Sequence, residues 1–184
     1  MPVRHPEARP PSWPGVFRPR TWWRWSATLP GPGACGRTST SAGVQAEVQV
    51  VDAGAWLRLG GPPFDLILLD APCSGSGTLQ KHPELNWLGD ALDLPRLVKI
   101  QQDLLEAAVD RLAPGGLLIY AVCSWLPEEA RAHRERLLAA RPRLAPAPVW
   151  PEALGTGPDP ASFFSPDPLA WPGEGFQAFA LTSR

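Results

Sequence analysis

Hydrophobic and polar positions follow a regular period along only part of this chain. The run VQAEVQVV at 44–51 alternates apolar and polar residues and is rich in valine, so it reads as a strand. FDLILLD at 64–70 is almost continuously apolar and ends on a carboxylate, which predicts a strand buried on both faces of a parallel sheet. Over 92–112, Leu97, Ile100, Leu104, Leu105, Ala108, Val109 and Leu112 recur at spacings of three and four, the stripe of an amphipathic helix that Pro114-Gly115-Gly116 then stops. LLIYAVC at 117–123 predicts a second buried strand. PEEARAHRERLLAA at 127–140 predicts a charged helix with Pro in its first turn and acids near its N-terminus. Prolines dominate after Arg141 until FQAFAL at 176–181, a last strand.

Alternating strands and helices predict an open α/β sheet with right-handed crossovers, and ligands of such sheets sit beyond the carboxyl ends of the strands. Two short polar segments fall there: Asp70-Ala71-Pro72-Cys73-Ser74-Gly75-Ser76-Gly77 after one strand and Cys123-Ser124 after the next. Placed on neighbouring strands, they bring two thiols and one carboxylate to one rim. Each has a plainer reading. A cysteine at a strand end is ordinarily a small buried hydrophobe, Asp70 can cap a turn, and Gly75 and Gly77 can simply form one. The Ser-Gly repeat is a poor phosphate loop, because no Lys-Ser or Lys-Thr follows Gly77. Cys73 and Cys123 lack CxxC or histidine partners at ligand spacing, so no metal site is expected.

Composition divides the chain in two. The whole holds 24 prolines, 17 glycines and 9 tryptophans, with a net charge of −1. Residues 1–43 carry six arginines against Glu7, together with eight of the prolines and four of the tryptophans. Their aliphatic content is too small to offset the entropy of ordering a core. Residues 44–184 carry a net charge of −6 and all the periodic patterns, so they are the globular part. No stretch reaches the ~18 apolar residues of a membrane helix. Three cysteines and no signal-peptide pattern imply a reducing cytoplasm and no membrane partner.

Taken jointly, Asp-Ala-Pro-Cys-Ser-Gly-x-Gly from Asp70, Lys81-His82-Pro83-Glu84 with Trp87, Gln101 with Leu104-Leu105, Pro114-Gly115-Gly116, and Tyr120-Ala121-Val122-Cys123-Ser124 with Glu128-Glu129 resemble the RsmB/NOP (Sun-type) RNA cytosine-5 methyltransferases over about 62–140, with a looser tail at Gly175-Phe176. Val122 stands where that family usually has Thr, and His82 where it often has Asn. The resemblance implies a Rossmann-like class I methyltransferase sheet of strand order 3-2-1-4-5-7-6, S-adenosylmethionine as cofactor, and RNA, chiefly ribosomal RNA, as substrate, handled by a cytoplasmic monomer. It implies Cys123 as the nucleophile, Cys73 as the thiol assisting product release, and Asp70 as the hydrogen-bonding partner of the cytosine edge or the cofactor. Asp52, Ala53, Asp70 and Pro72 would contact the cofactor, and Ser74, Gly75, Lys81 and Ser124 the substrate.

Two thiols suit the chemistry. Carbon 5 of cytosine is too electron-poor to attack a methyl sulfonium unaided; a thiolate added at carbon 6 makes it an enamine-like nucleophile. Loss of the carbon-5 proton and expulsion of the thiolate then need acid–base help. The target base must also leave its stack, which suits single-stranded or loop RNA.

The resemblance leaves the sheet incomplete: its first two strands and its glycine-rich cofactor loop are missing, and 1–43 stands in their place. A reading-frame shift accounts for that segment. Back-translation of residues 5–10, read one base earlier, permits Ala-Pro-Gly-Gly-Lys-Thr, the family's cofactor loop. The same offset over 21–30 permits Asp-Val-Val-Ala-Val-Glu-Arg-Asp-Pro-Ser, and over 31–39 Arg-Ala-Arg-Gly-Leu-Arg-Glu-Asn-Leu, with the native frame resuming near Ala42. The expectation is a non-native segment at 1–43 and a partial catalytic domain at 44–184 that binds S-adenosylmethionine poorly and folds marginally. Its strand at 64–70 would lack one neighbour. The alternative is a non-catalytic RNA-interacting remnant whose basic arm at 1–43 contacts phosphates.

Overall fold

In the computed structural model, the described residues are 25–26, 51–83, 93–150, 162–166 and 174–184. The predicted strand at 44–51 lies outside them except for Val51, an exposed bend. Asp52 then starts a helix: its Oδ1 accepts from the Ala55 amide at 2.7 Å, capping α1 (Ala53–Arg58). The chain turns back into β2 (Phe64–Asp70), as expected. Helix α2 (Leu94–Asp110) is capped by Asp93, whose Oδ1 accepts from the Arg96 amide at 3.0 Å. It runs into β3 (Leu112–Val122) with one residue between them.

Pro114-Gly115-Gly116, expected to end the helix, lies instead inside β3. Phe64 pairs with Leu112 and Leu66 with Leu117, so Ala113–Gly116 bulge out of the ladder. Gly115 takes φ 75°, and a Cβ on Gly116 would lie 2.9 Å from the Phe64 carbonyl oxygen, so both turn and close approach need glycine. The predicted helix at 127–140 is also divided. A 3-10 turn spans Pro127–Glu129, Ala130 leaves helical geometry at φ −136°, and α3 covers Arg131–Ala140. Three strands follow: β4 (Leu144–Pro146), β5 (Phe163–Phe164) and β6 (Gln177–Ser183). The proline-rich tail concealed the first two from sequence, because strands this short carry no alternation.

Two residues, Trp25–Ser26 (β1), complete the sheet among the described residues. Its order is β1-β2-β3-β6-β4, with β5 also on β6. β1, β2 and β3 are parallel, and β6 is antiparallel to β3, β4 and β5. The run β2-β3-β6-β4 reproduces the 4-5-7-6 half of the order the resemblance implied. β2 does have a neighbour on its other flank, contrary to expectation, but only over Trp25↔Leu69 and Ser26↔Asp70.

The core lies under β3 and β6. Leu118, Tyr120, Val122, Phe179, Ala180 and Leu181 are fully buried, and Tyr120 stacks on Phe179 at 4.9 Å. α2 supplies Leu104, Leu105, Ala108 and Val109 to it. β2 is not buried on both faces as predicted: Ile67 and Leu69 point inward, while Leu68 is 46% exposed. No described element covers that face. Arg111 fastens the α1–β2 turn to the core. Its buried guanidinium donates to the carbonyls of Leu57, Gly60 and Pro62 at 3.1, 2.7 and 3.0 Å and lies over the Trp56 and Phe64 rings. No helix among the described residues is long and apolar enough to cross a membrane.

Candidate functional site

Because β2 and β3 are parallel neighbours and Asp70 pairs with Ala121, the loops leaving their carboxyl ends emerge side by side. Ala71 donates to the Ala121 carbonyl at 3.1 Å and Gly77 to the Cys123 carbonyl at 3.1 Å, which binds one loop along the other. Gly77 is required here: a Cβ would lie 2.1 Å from the Gly175 carbonyl oxygen, on the segment entering β6. Gly175, part of the loosely matched tail, returns its amide to the Gly77 carbonyl at 2.7 Å.

The consequence is a pair of half-buried thiols, with Cys73 Sγ and Cys123 Sγ 3.3 Å apart. One proton shared between two sulfurs makes them unlike. The hydrogen bond that Cys73 donates lowers the Cys123 thiol from 9.0 to about 7, against the opposing effects of burial and of the Asp70 and Glu129 charges. Cys73 is raised, first by the same hydrogen bond and then by burial. Cys123 is therefore the sulfur that ionises first as pH rises, with Cys73 kept as the thiol beside it.

Glu129 holds the site from below, fully buried. Its Oε1 accepts from the Ser74 amide at 2.8 Å and from Gln101 Nε2 at 2.9 Å. Its Oε2 accepts from the Ser74 and Ser124 hydroxyls at 2.6 and 2.5 Å. Four donors in place of water are what a buried carboxylate needs. Ser76 Oγ lies 3.0 Å from Ser124 Oγ and accepts from the Trp125 amide at 3.0 Å. The Gln101 amide also donates to the Pro72 carbonyl at 2.8 Å, so its Oε1 can only accept, and it does so from His133 Nε2 at 3.0 Å. His133 is therefore the Nε2–H tautomer, with Nδ1 accepting from Arg136 Nη2 at 3.0 Å. Burial, and then the Arg136 charge, take its pKa from 6.5 down to about 4, in keeping with a neutral ring. Tyr120 donates to the Glu129 carbonyl at 2.8 Å, and burial raises its own hydroxyl.

Of the residues the sequence singled out, Cys73, Cys123, Ser74 and Ser124 come together. Ser74 and Ser124, expected to contact substrate, instead commit buried hydroxyls to Glu129. Asp70 is exposed at the end of β2 and Pro72 is half-buried beside the thiols. Gly75 takes φ 69° to turn the first loop. Lys81 is exposed and pairs with Glu174. Asp52 and Ala53 stand apart, at the N-terminus of α1. Gln101, Glu129 and His133 received no role from the sequence, although Gln101, a polar residue in the apolar stripe of α2, was a readable signal.

A shallow apolar hollow lined by Ala53, Leu57, Phe64 and the Leu66–Leu69 run lies beside β2, open to solvent and enclosing room for about one water-sized group. Of the residues the resemblance assigns to the cofactor, Asp52 and Asp70 are carboxylates, which accept from a ribose diol or an ammonium group and repel a carboxylate. The described residues thus offer S-adenosylmethionine an apolar face and two carboxylates, and no complete site among them.

Residues 37–169 match the family described as 16S rRNA methyltransferase RsmB/F. The ribosomal RNA small subunit methyltransferase B of Salmonella paratyphi B is 46% identical over 82 residues, which cover 45% of this chain and 19% of that protein. The chain thus spans about a fifth of the length of the curated relatives it matches. Two crystal structures share the fold: NSun6 from Pyrococcus horikoshii, solved with SFG (22% identity, TM-score 0.59, 77% of this chain and 36% of that one), and a methyltransferase homolog from the same organism (24% identity, TM-score 0.59, 79% and 48%).

Proposed function

The chain belongs to the RsmB/F family of 16S rRNA methyltransferases, and from that membership we propose that its described residues carry the thiol chemistry of cytosine-5 methylation in ribosomal RNA. The observation that supports this reading most is the 3.3 Å approach of Cys73 and Cys123 beyond neighbouring parallel strands. S-adenosylmethionine, the family's methyl donor, supplies the methyl group when bound. Asp52 and Ala53 would hold its adenine end, and Asp70 and Pro72 would lie toward its reactive end.

The Cys123 thiolate adds to carbon 6 of an unstacked cytosine, forming a carbon–sulfur bond and shifting an electron pair to carbon 5. Carbon 5 would take up the methyl group as that group's bond to the donor's sulfonium sulfur broke, leaving a neutral thioether. The carbon-5 proton then leaves to a base, the carbon–sulfur bond breaks, and Cys123 departs as a thiolate. The neighbouring Cys73 thiol stabilises that departing sulfur through the hydrogen bond it makes to the free thiolate. Asp70, exposed on the rim, would meet the cytosine edge or the cofactor. Gly75 and Lys81 border the entrance, and Ser74 and Ser124 serve by holding the loops. Enzymes that attack through the Pro-Cys thiol would use Cys73; the lowered pKa of Cys123 favours the opposite assignment here.

The reading includes an impaired cofactor site. The family match begins at residue 37, within the last residues of the 1–43 segment read as non-native. The test uses a chain in which 1–43 is replaced by its one-base-shifted reading, small-subunit rRNA and methyl-labelled S-adenosylmethionine. Label enters carbon 5 of cytosine, and Cys123→Ala lowers the rate by at least about 100-fold. Undiminished methylation by C123A overturns the assignment.

A further inference from the structure

We propose that Glu129 is a positioning residue of the thiol pair: by bridging Ser74 and Ser124 with one carboxylate it locks the two cysteine-bearing loops in register, and so holds Cys73 against Cys123. This deepens the reading above and rests on it for the roles of the two thiols. Each cysteine immediately precedes a serine, and both serines donate to Glu129 Oε2, at 2.6 and 2.5 Å. The Ser74 amide, bonded to Oε1 at 2.8 Å, fixes the backbone of the first loop as well as its side chain. The Glu129 carboxylate touches neither sulfur in the hydrogen-bond network and, fully buried, is screened from substrate. Its effect on the thiols passes through the two serines.

The rest of the network directs donors at this one group. Arg136 donates to His133, His133 to Gln101, and Gln101 to Glu129 and to the Pro72 carbonyl beside Cys73. The break at Ala130 has a matching cause: a regular helix through 127–140 would continue past Glu129, whereas the 3-10 turn and the φ of −136° at Ala130 let it point inward. Tyr120 anchors the Glu129 backbone from β3 at 2.8 Å. A strand, a turn and two helices thus converge on one residue, whose carboxylate is bonded directly to the Ser74 and Ser124 loops and to Gln101 of α2.

The test separates positioning from charge by sign. The groups acting on Cys123 are Cys73, whose hydrogen bond lowers its pKa, and Asp70 and Glu129, whose charges raise it. If Glu129 acted by charge alone, removing it would lower the Cys123 pKa. If it positions the loops, removing it breaks the Cys73 hydrogen bond and the pKa rises toward 9.0. The full chain is alkylated with iodoacetamide from pH 5 to 10, and modification of the Cys123 peptide is followed by mass spectrometry. Glu129→Gln keeps an acceptor for the Ser74 amide and Gln101 while its amide donates to the rotated serine hydroxyls, so its midpoint stays near that of wild type or falls. Glu129→Ala, with unchanged far-UV circular dichroism, moves the midpoint upward and slows alkylation at pH 7 by about tenfold or more. Should E129A not fold, Ser74→Ala removes one of the four bonds and moves the midpoint the same way by a smaller amount. A folded E129A with a midpoint at or below wild type, or an S74A with no movement, overturns the proposal. Neither RNA nor cofactor enters this measurement, so its failure is distinct from the failure of C123A to abolish methylation.

Discussion

The two flanks of β2 differ in kind. Toward β3 and β6 it pairs along its length, and beyond lie side chains with no exposure at all: Leu118, Tyr120, Phe179 and Leu181. Toward β1 the described residues give two residues of pairing and an apolar hollow, with Leu68 exposed on one face of the strand. The thiol pair is built from the first flank, and the hollow beside Ala53 and Leu57 borders the second. The approach of the two sulfurs is thus set on the first flank, by strand register and the hydrogen bonds of one buried carboxylate. A nucleoside cofactor needs contacts from several strand ends at once, and among the described residues the second flank offers two paired residues.

The largest expected effect lies on that flank. Calorimetry on the 184-residue chain should show no S-adenosylmethionine binding tighter than about 1 mM, and the chain with 1–43 replaced by its shifted reading should bind at least about 100-fold more tightly. Equal affinity in the two chains would erase the difference between the flanks. Next, Leu118→Ala should cost about 2–5 kcal/mol in urea unfolding, whereas Leu68→Ala should stay within about 1 kcal/mol. Comparable losses would mean that the second flank is covered after all.

Two smaller effects sharpen the picture of the thiol side. Cys73→Ala removes the donated hydrogen bond, so the alkylation midpoint of Cys123 should move from about 7 up toward 9.0. His133 has a folded-state pKa of about 4 against 6.5 unfolded, so the unfolded chain binds more protons between those values. Stability should therefore fall as pH drops from 6.5 toward 4, and urea midpoints of His133→Gln should vary less over that window.

What was legible in the sequence followed from repetition. The stripe from Leu97 to Val109 and the apolar run at 64–70 announced α2 and β2, and Pro-Cys-Ser-Gly with Tyr-x-x-Cys-Ser announced two loops meeting on one rim. The details that escaped are those in which tertiary contacts overrule local rules. Pro114-Gly115-Gly116 reads as a helix stop but serves as a bulge, because the Phe64 backbone lies too close to Gly116 for any side chain. Glu128 and Glu129 look alike as helix-opening acids, yet one is exposed and the other is drawn inward by four donors. Ile100 belongs to the apolar stripe but is 37% exposed, while Gln101 takes the buried place beside it because Pro72 and Glu129 offer it partners. A binary pattern records burial and says nothing of such partners.

The account turns on a division of labour between two sulfurs 3.3 Å apart. Its most direct test is the yield of covalent protein–RNA adduct on denaturing gels, using the chain with 1–43 replaced, small-subunit rRNA and S-adenosylmethionine. With Cys73→Ala, addition and methyl transfer proceed but release fails, so a slowly migrating adduct should accumulate and should disappear when Cys123 is also replaced by Ala. An adduct that persists in the double variant, or one that accumulates in Cys123→Ala alone, would contradict it.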